Sequence, residues 1–182
     1  MPLAPVQLLW LNLVTDSLPA LALGVEPVEP GVMDQPPRDA RAGLFDGKFT
    51  LRLLWQGLMV GVLTLAAYFL GFTRLAAPGS EGPVANTMAF ATLCLSRLFH
   101  GFNCKSGRPV LFTRAFWNNK FLLGAFAVGA LLLAAVLLIP PLEPLFQVAE
   151  LSIGLVGCIV GLAFGSMVVI QVLKAIRSMG KK

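Results

Sequence analysis

Five stretches of the chain are long and almost wholly apolar, and the segments between them are rich in proline, glycine and charge. The stretches cover about residues 7–25, 51–72, 84–103, 120–139 and 151–174. Each is near the roughly 20 residues that a helix needs to cross about 30 Å of hydrocarbon. The pattern predicts an all-α fold, a polytopic membrane bundle of five transmembrane helices, with residues 1–182 as one domain. The first stretch is the shortest and most polar. The fifth carries Gly157, Gly161 and Gly165 at four-residue spacing, a small-residue face on which another helix backbone is expected to pack.

The connections have distinct characters. The loop over 26–50 holds Glu26-Pro27-Val28-Glu29-Pro30 and Met33-Asp34-Gln35-Pro36-Pro37-Arg38, where proline favours extended backbone. It is either a docking surface for a soluble partner or a spacer. Residues 73–83 read as a turn region around Pro78-Gly79-Ser80-Glu81-Gly82-Pro83. Residues 105–119 are basic, and 140–150 are short and mildly acidic, with Pro140-Pro141 ending the fourth helix.

Composition narrows the class. The 182 residues are 57% hydrophobic and 13% charged, and the mean hydropathy is +0.79. Those values exclude a soluble domain. The net charge of +5 is explained by its layout. Twelve of the fourteen basic residues fall in alternate connections or at the end of the chain: Arg38 to Arg52, Lys105 to Lys120, and Lys174 to Lys182. By the positive-inside rule the N-terminus is outside and the C-terminus cytoplasmic, and no nucleic-acid partner is expected. The start of the chain lacks a basic leader with a small-residue cleavage site, so it does not read as a signal peptide. Cys94, Cys104 and Cys158 have no metal-site spacing and are expected to be free, buried thiols.

The candidate chemistry centres on Asp16, in the apolar run Gln7-Leu8-Leu9-Trp10-Leu11-Asn12-Leu13-Val14-Thr15-Asp16. A carboxylate at the middle of a membrane helix costs roughly 2.5–3.5 kcal/mol on insertion scales. Asn12, four residues earlier, shares its helical face, and Thr15 flanks both. Carboxylate, amide and hydroxyl oxygens suit a hard cation. Pro19 cannot donate to the carbonyl of Thr15, so the helix is expected to loosen there and free an oxygen for an ion. The alternative is a polar patch that pairs with a neighbouring helix. In the third stretch, Thr92, Ser96, His100 and Asn103 form a polar stripe beside Arg97. Arg97 either snorkels to the cytoplasmic interface or turns inward as a fixed cation against a carboxylate such as Asp16. His100 is expected to hydrogen-bond near the interface, having no second His or Cys at ligand spacing. A phosphate loop, a nucleophile elbow and a metal-binding His pair are all lacking.

These residues also carry a resemblance. Pro5 to Asp16, with Leu18-Pro19-Ala20 and Leu23-Gly24, resembles the sixth transmembrane helix of type-2 P-type ATPases, in particular the sarcoplasmic-reticulum-like calcium pumps and their bacterial relatives. Met33-Asp34-Gln35-Pro36-Pro37-Arg38 is similar to their loop between helices six and seven. The likeness continues more weakly over the whole chain as helices six to ten. It implies the C-terminal membrane module of an ATP-driven Ca²⁺ transporter, integral to a bacterial plasma membrane. Asn12, Thr15 and Asp16 would be metal ligands, with no catalytic or cofactor-binding residues. Ca²⁺ would be the transported ion, with ATP and Mg²⁺ used only through domains outside this sequence. The partners implied are membrane lipid and the N-terminal part of the pump: helices one to five, the Asp-Lys-Thr-Gly phosphorylation motif, and the nucleotide and actuator domains. The chain would then not be catalytic alone.

Two departures from the family matter. Ser17 stands where glycine usually follows the Asp. Thr87-Met88-Ala89-Phe90 matches the start of the family's eighth helix, but Arg97 stands where two-ion calcium pumps carry a Glu ligand. That implies one ion site, with Arg97 as an internal counter-cation in place of the second. Two other readings remain open: a small proton- or ion-coupled secondary transporter with an Asp16–Arg97 relay, or a non-transporting membrane partner subunit.

Overall fold

The computed structural model describes residues 3–28, 32–34, 37, 43, 45, 47–75 and 79–179, with the side chains of Lys48, Arg74 and Leu75 left out. Arg38, Arg41, Lys181, Lys182 and most of the proline-rich run lie outside the described residues. Every described element is helical.

The first helix, α1 (Pro5–Gly24), is not uniform. Its middle, Leu11–Asp16, is wound as a π-helix between two α-helical ends, Pro5–Trp10 and Ser17–Gly24. The wider winding includes Thr15, whose carbonyl Pro19 cannot bond, and regular α-helix resumes at Ser17 and runs through Pro19. Ser17 Oγ donates to the carbonyl of Asn12 at 3.1 Å, a five-residue step that fits the wider turn.

The helices that follow are α2 (Gly47–Leu70), which ends in a π-turn at Gly71–Leu75, and α3 (Glu81–Cys104). A short helix α4 (Arg114–Trp117) precedes α5 (Lys120–Leu138). A 3₁₀ turn at Pro140–Leu142 and the short α6 (Glu143–Phe146) lead to α7 (Ile153–Met179). Helix α2 therefore begins inside the segment read as loop, and α7 runs beyond its apolar stretch.

Among the described residues, four segments are long and apolar enough to cross a membrane: Pro5–Gly24, Phe49–Thr73, Lys120–Leu138 and Ile153–Met179. The fifth expected span, α3, has the length at 24 residues, but Asn86, Thr92, Ser96, Arg97 and His100 make it too polar to qualify. The reason is its position. Helix α3 lies at the centre and packs against α1, α2, α5 and α7. Its side chains are surrounded by protein, so they need not be soluble in lipid. Helix α2, by contrast, has almost no fully buried residues, Ala67 excepted.

The core is built around α3. Phe90 and Cys94 pack with Leu11, Leu133 and Val136. Met88 and Ala91 pack with Ala67, Leu155 and Ile159. Phe102 packs with Ala22, Leu122 and Met167. Two glycines permit the closest approaches. A methyl at Gly71 would lie 2.9 Å from the Ala85 Cα, and one at Gly129 would lie 2.7 Å from a Leu98 methyl. The α7 glycines do not act this way. Around Gly157, Gly161 and Gly165 a methyl would meet nothing within 4 Å. The expected helix packing on that stripe is absent among the described residues.

Buried polar contacts tie the two ends of the bundle. At one end Gln7 Nε2 donates to the Phe146 carbonyl at 2.8 Å, and Ala149 N donates to Thr87 Oγ1 at 2.8 Å. The other, basic end has Asn119 at its centre. Its Nδ2 donates to the Ala22 carbonyl at 2.8 Å and to Glu26 Oε2 at 2.7 Å. Its Oδ1 caps α5 by accepting from Leu122 N at 2.9 Å. Glu26 Oε1 also pairs with Lys105 Nζ at 3.3 Å.

Candidate functional site

The π-segment decides how the expected ligands are arranged. Asn12 and Asp16 lie on one exposed face of α1, while Thr15 turns inward and is buried. The Thr15 hydroxyl donates to the Leu11 carbonyl at 2.7 Å, which leaves its lone pairs as acceptors. The three residues are therefore close together in the chain, but only two share an open face.

Arg97 resolves one alternative left by the sequence. Its Nη1 donates to Asp16 Oδ2, so it turns to the α1 carboxylate and does not snorkel alone. The pair is partly open, with 38% of the Arg97 and 44% of the Asp16 side chain exposed. A guanidinium cannot lose its charge here, so the pair is neutral overall while both groups are ionised. Among the described residues no group of three or more His, Cys, Asp or Glu could hold a metal ion. Asp16 and Asn12 thus offer an incomplete oxygen set on an open side of the bundle.

A cleft of about 530 Å³ lies near the start of α1, lined by Leu3, Thr64, Tyr68, Asn86 and Ala89. It contains none of the expected ligands.

The polar stripe of α3 is largely interior: Thr92, Ser96 and Asn103 are buried, and His100 is partly so. The Asn103 carbonyl oxygen of the side chain accepts from Gln171 Nε2 at 2.7 Å. All three thiols are free, but Cys104 is exposed and only Cys94 is buried. Gln7, Asn119 and Gln171 are polar connectors that sequence reasoning missed. For Gln7 and Gln171 the available signal was a lone amide within an apolar run, where a buried polar group must find a partner; Asn119, beside Asn118 and Lys120 in a polar connection, carried no such signal.

Comparison with known proteins decides the family. The model of the family "Cation transporting ATPase, C-terminus" matches residues 1–176. The chain belongs to that family. It is 35% identical over 185 residues to Calcium-transporting ATPase 1 of Bacillus cereus, covering 95% of this chain and 21% of the relative. It is 39% identical over 154 residues to a calcium-transporting ATPase of Bacillus subtilis, covering 85% of the chain and 17% of the relative. The mouse calcium-transporting ATPase type 2C member 2 is 31% identical over 173 residues, covering 95% and 18%. The chain thus spans about a fifth of the length of these relatives. Family membership and the apolar helices together make this cation-transporting ATPase C-terminal region an integral membrane protein.

Proposed function

We propose that residues 1–182 form the C-terminal membrane module of an ATP-driven Ca²⁺ pump, with α1 contributing Asn12, Thr15 and Asp16 to one intramembrane ion site. The observation that carries this reading is a carboxylate on the open face of an interrupted membrane helix, paired with a cation. An intramembrane carboxylate is costly and is kept for function. A broken helix is a recurring device at ion sites, because it exposes backbone oxygens. The remaining ligands would come from helices N-terminal to this segment, seated on the open side next to Asn12 and Asp16. ATP hydrolysis and its Mg²⁺ would belong to the cytoplasmic domains of the same pump.

Arg97 has a defined part in this reading. It neutralises Asp16 while no ion is bound, and the incoming cation displaces it. The same guanidinium occupies the volume and charge of a second ion, so one ion binds per cycle. Helix α3 crosses the membrane as a fifth span, and the basic end of the bundle faces the cytoplasm of a bacterial plasma membrane, with the N-terminus outside.

Two measurements on the complete pump test the proposal. Asp16→Asn is expected to abolish Ca²⁺-dependent phosphorylation by ATP, and unchanged phosphorylation refutes the ligand assignment. The Ca²⁺:ATP ratio is expected to be one, and a ratio of two refutes the role given to Arg97. The Asp16–Arg97 pair also favours a second reading, a secondary transporter with a charge relay. Transport that continues without ATP would select it.

A further inference from the structure

The basic end of the bundle carries a surface that the ion site does not use. Residues 105–119, between α3 and α5, are held from behind by α7. Gln171 Oε1 accepts the backbone N–H groups of Val110 at 2.8 Å and Leu111 at 3.4 Å. Lys174 Nζ donates to the carbonyls of Asn103 and Ser106, each at 2.5 Å. The N–H and hydroxyl of Thr113 both donate to the Val110 carbonyl, at 3.1 and 2.7 Å. Phe116 stacks on Phe102 with ring centroids 4.7 Å apart. The segment is a tied-down platform.

From that platform Phe112 projects with 95% of its surface exposed. Its φ of 61° is left-handed, a conformation that costs a bulky L residue energy and persists only where the surroundings impose it. Trp117 and Phe121 are also exposed, at 67% and 71%. Arg108 and Arg114, in the same segment, are also exposed, and neither forms an ion pair with a described residue.

A ring presented at a conformational cost is poorly matched to water. Its position supplies a better solvent. The segment joins the end of α3 to the start of α5, a helix apolar enough to cross the bilayer. The exposed face of α5 continues from Phe121 through Leu131 to Leu138. With α5 crossing the bilayer from Phe121 onward, Phe112 and Trp117 would fall near the level where hydrocarbon meets headgroups, the depth that aromatic side chains favour. Guanidinium groups there bind phosphate bidentately, and anionic lipid attracts them.

We propose that residues 105–119 form a preorganised interfacial anchor, which seats Phe112 and Trp117 among anionic phospholipid headgroups and binds their phosphates through Arg108 and Arg114. The anchor is independent of the ion site, so failure of either reading leaves the other standing.

Tryptophan quenching by brominated lipid tests it in the full-length polypeptide reconstituted into nanodiscs. Subtracting the signal of Trp117→Phe isolates Trp117. Brominated phosphatidylglycerol is expected to quench Trp117 more effectively than brominated phosphatidylcholine. Arg108→Gln with Arg114→Gln is expected to remove that preference, by about fivefold per arginine, while quenching by the neutral lipid persists. Phe112→Ser is expected to weaken quenching by both lipids. Equal quenching of Trp117 by the two lipids in the unaltered protein overturns the proposal. So does the absence of quenching by either, which would mean that another protein surface covers the segment.

Discussion

The junction of Glu26, Lys105 and Asn119 makes an asymmetric prediction. The Lys105 side chain is 2% exposed and that of Glu26 is 19% exposed, with 3.3 Å between Nζ and Oε1. Lys105 Nζ has no hydrogen-bond partner among the described residues, so Glu26 alone compensates its charge. Glu26 has a second support in Asn119 Nδ2 at 2.7 Å and reaches water more easily. Glu26→Gln therefore strands a buried ammonium and is expected to cost about 3 kcal/mol. Lys105→Met leaves a carboxylate that is still hydrogen-bonded and partly hydrated, and is expected to cost about 1 kcal/mol. The double variant removes both charges and is expected to lie within about 1 kcal/mol of the parent. That is well short of the roughly 4 kcal/mol that two independent sites would give. Equilibrium unfolding in mixed micelles, followed by circular dichroism, measures all three. The reasoning is refuted if the two single costs add, or if Lys105→Met proves the more damaging.

Three further outcomes follow from contacts elsewhere. Gly129→Ala is expected to destabilise by about 1–3 kcal/mol through overpacking on Leu98, whereas Gly157→Ala, with nothing nearby, is expected to be neutral or to stabilise by up to about 1 kcal/mol through helix propensity; thermal unfolding of the pair reads the contrast. Gln7→Leu breaks the bond to the Phe146 carbonyl and the one accepted from Ala4 N at 3.0 Å, and is expected to cost about 1–3 kcal/mol, with faster hydrogen exchange in α6 as its local signature. The Glu81 carboxylate accepts from backbone N–H groups, its own and that of Gly79, and this holds its pKa below the ordinary value. Its support of the α3 N-terminus is therefore present above the unfolded pKa and is lost as pH falls through the folded one; a ¹³C titration of Glu81 that shows an ordinary or raised pKa would contradict this.

Much of the fold was legible because lipid imposes simple rules. A backbone in hydrocarbon must satisfy its own hydrogen bonds, so apolar runs of sufficient length become helices. The same rule placed proline and glycine at the breaks, and Pro140-Pro141 does follow the end of α5 at Leu138. Helix α3 was legible as a helix but not as the central one. Burial of Thr92, Ser96 and Asn103 depends on four neighbouring helices that no local window contains.

The candidate site divides in the same way. Asp16, Asn12 and Arg97 stood out from sequence alone, because each is too costly in an apolar run to be incidental. That Asn12 and Asp16 share a face followed from helical spacing. Only the tertiary structure turned Thr15 inward, wound Leu11–Asp16 as a π-helix, and brought Arg97 of α3 to Asp16 of α1. It likewise left the α7 glycines unpacked and joined Glu26 to Lys105 and Asn119. Cost and periodicity are properties of a residue and its near neighbours, so the sequence by itself determined which polar groups stand out from the apolar runs and which segments are helical. Partner, facing and helical pitch depend on what lies across the interface, and that was decided only when the helices packed.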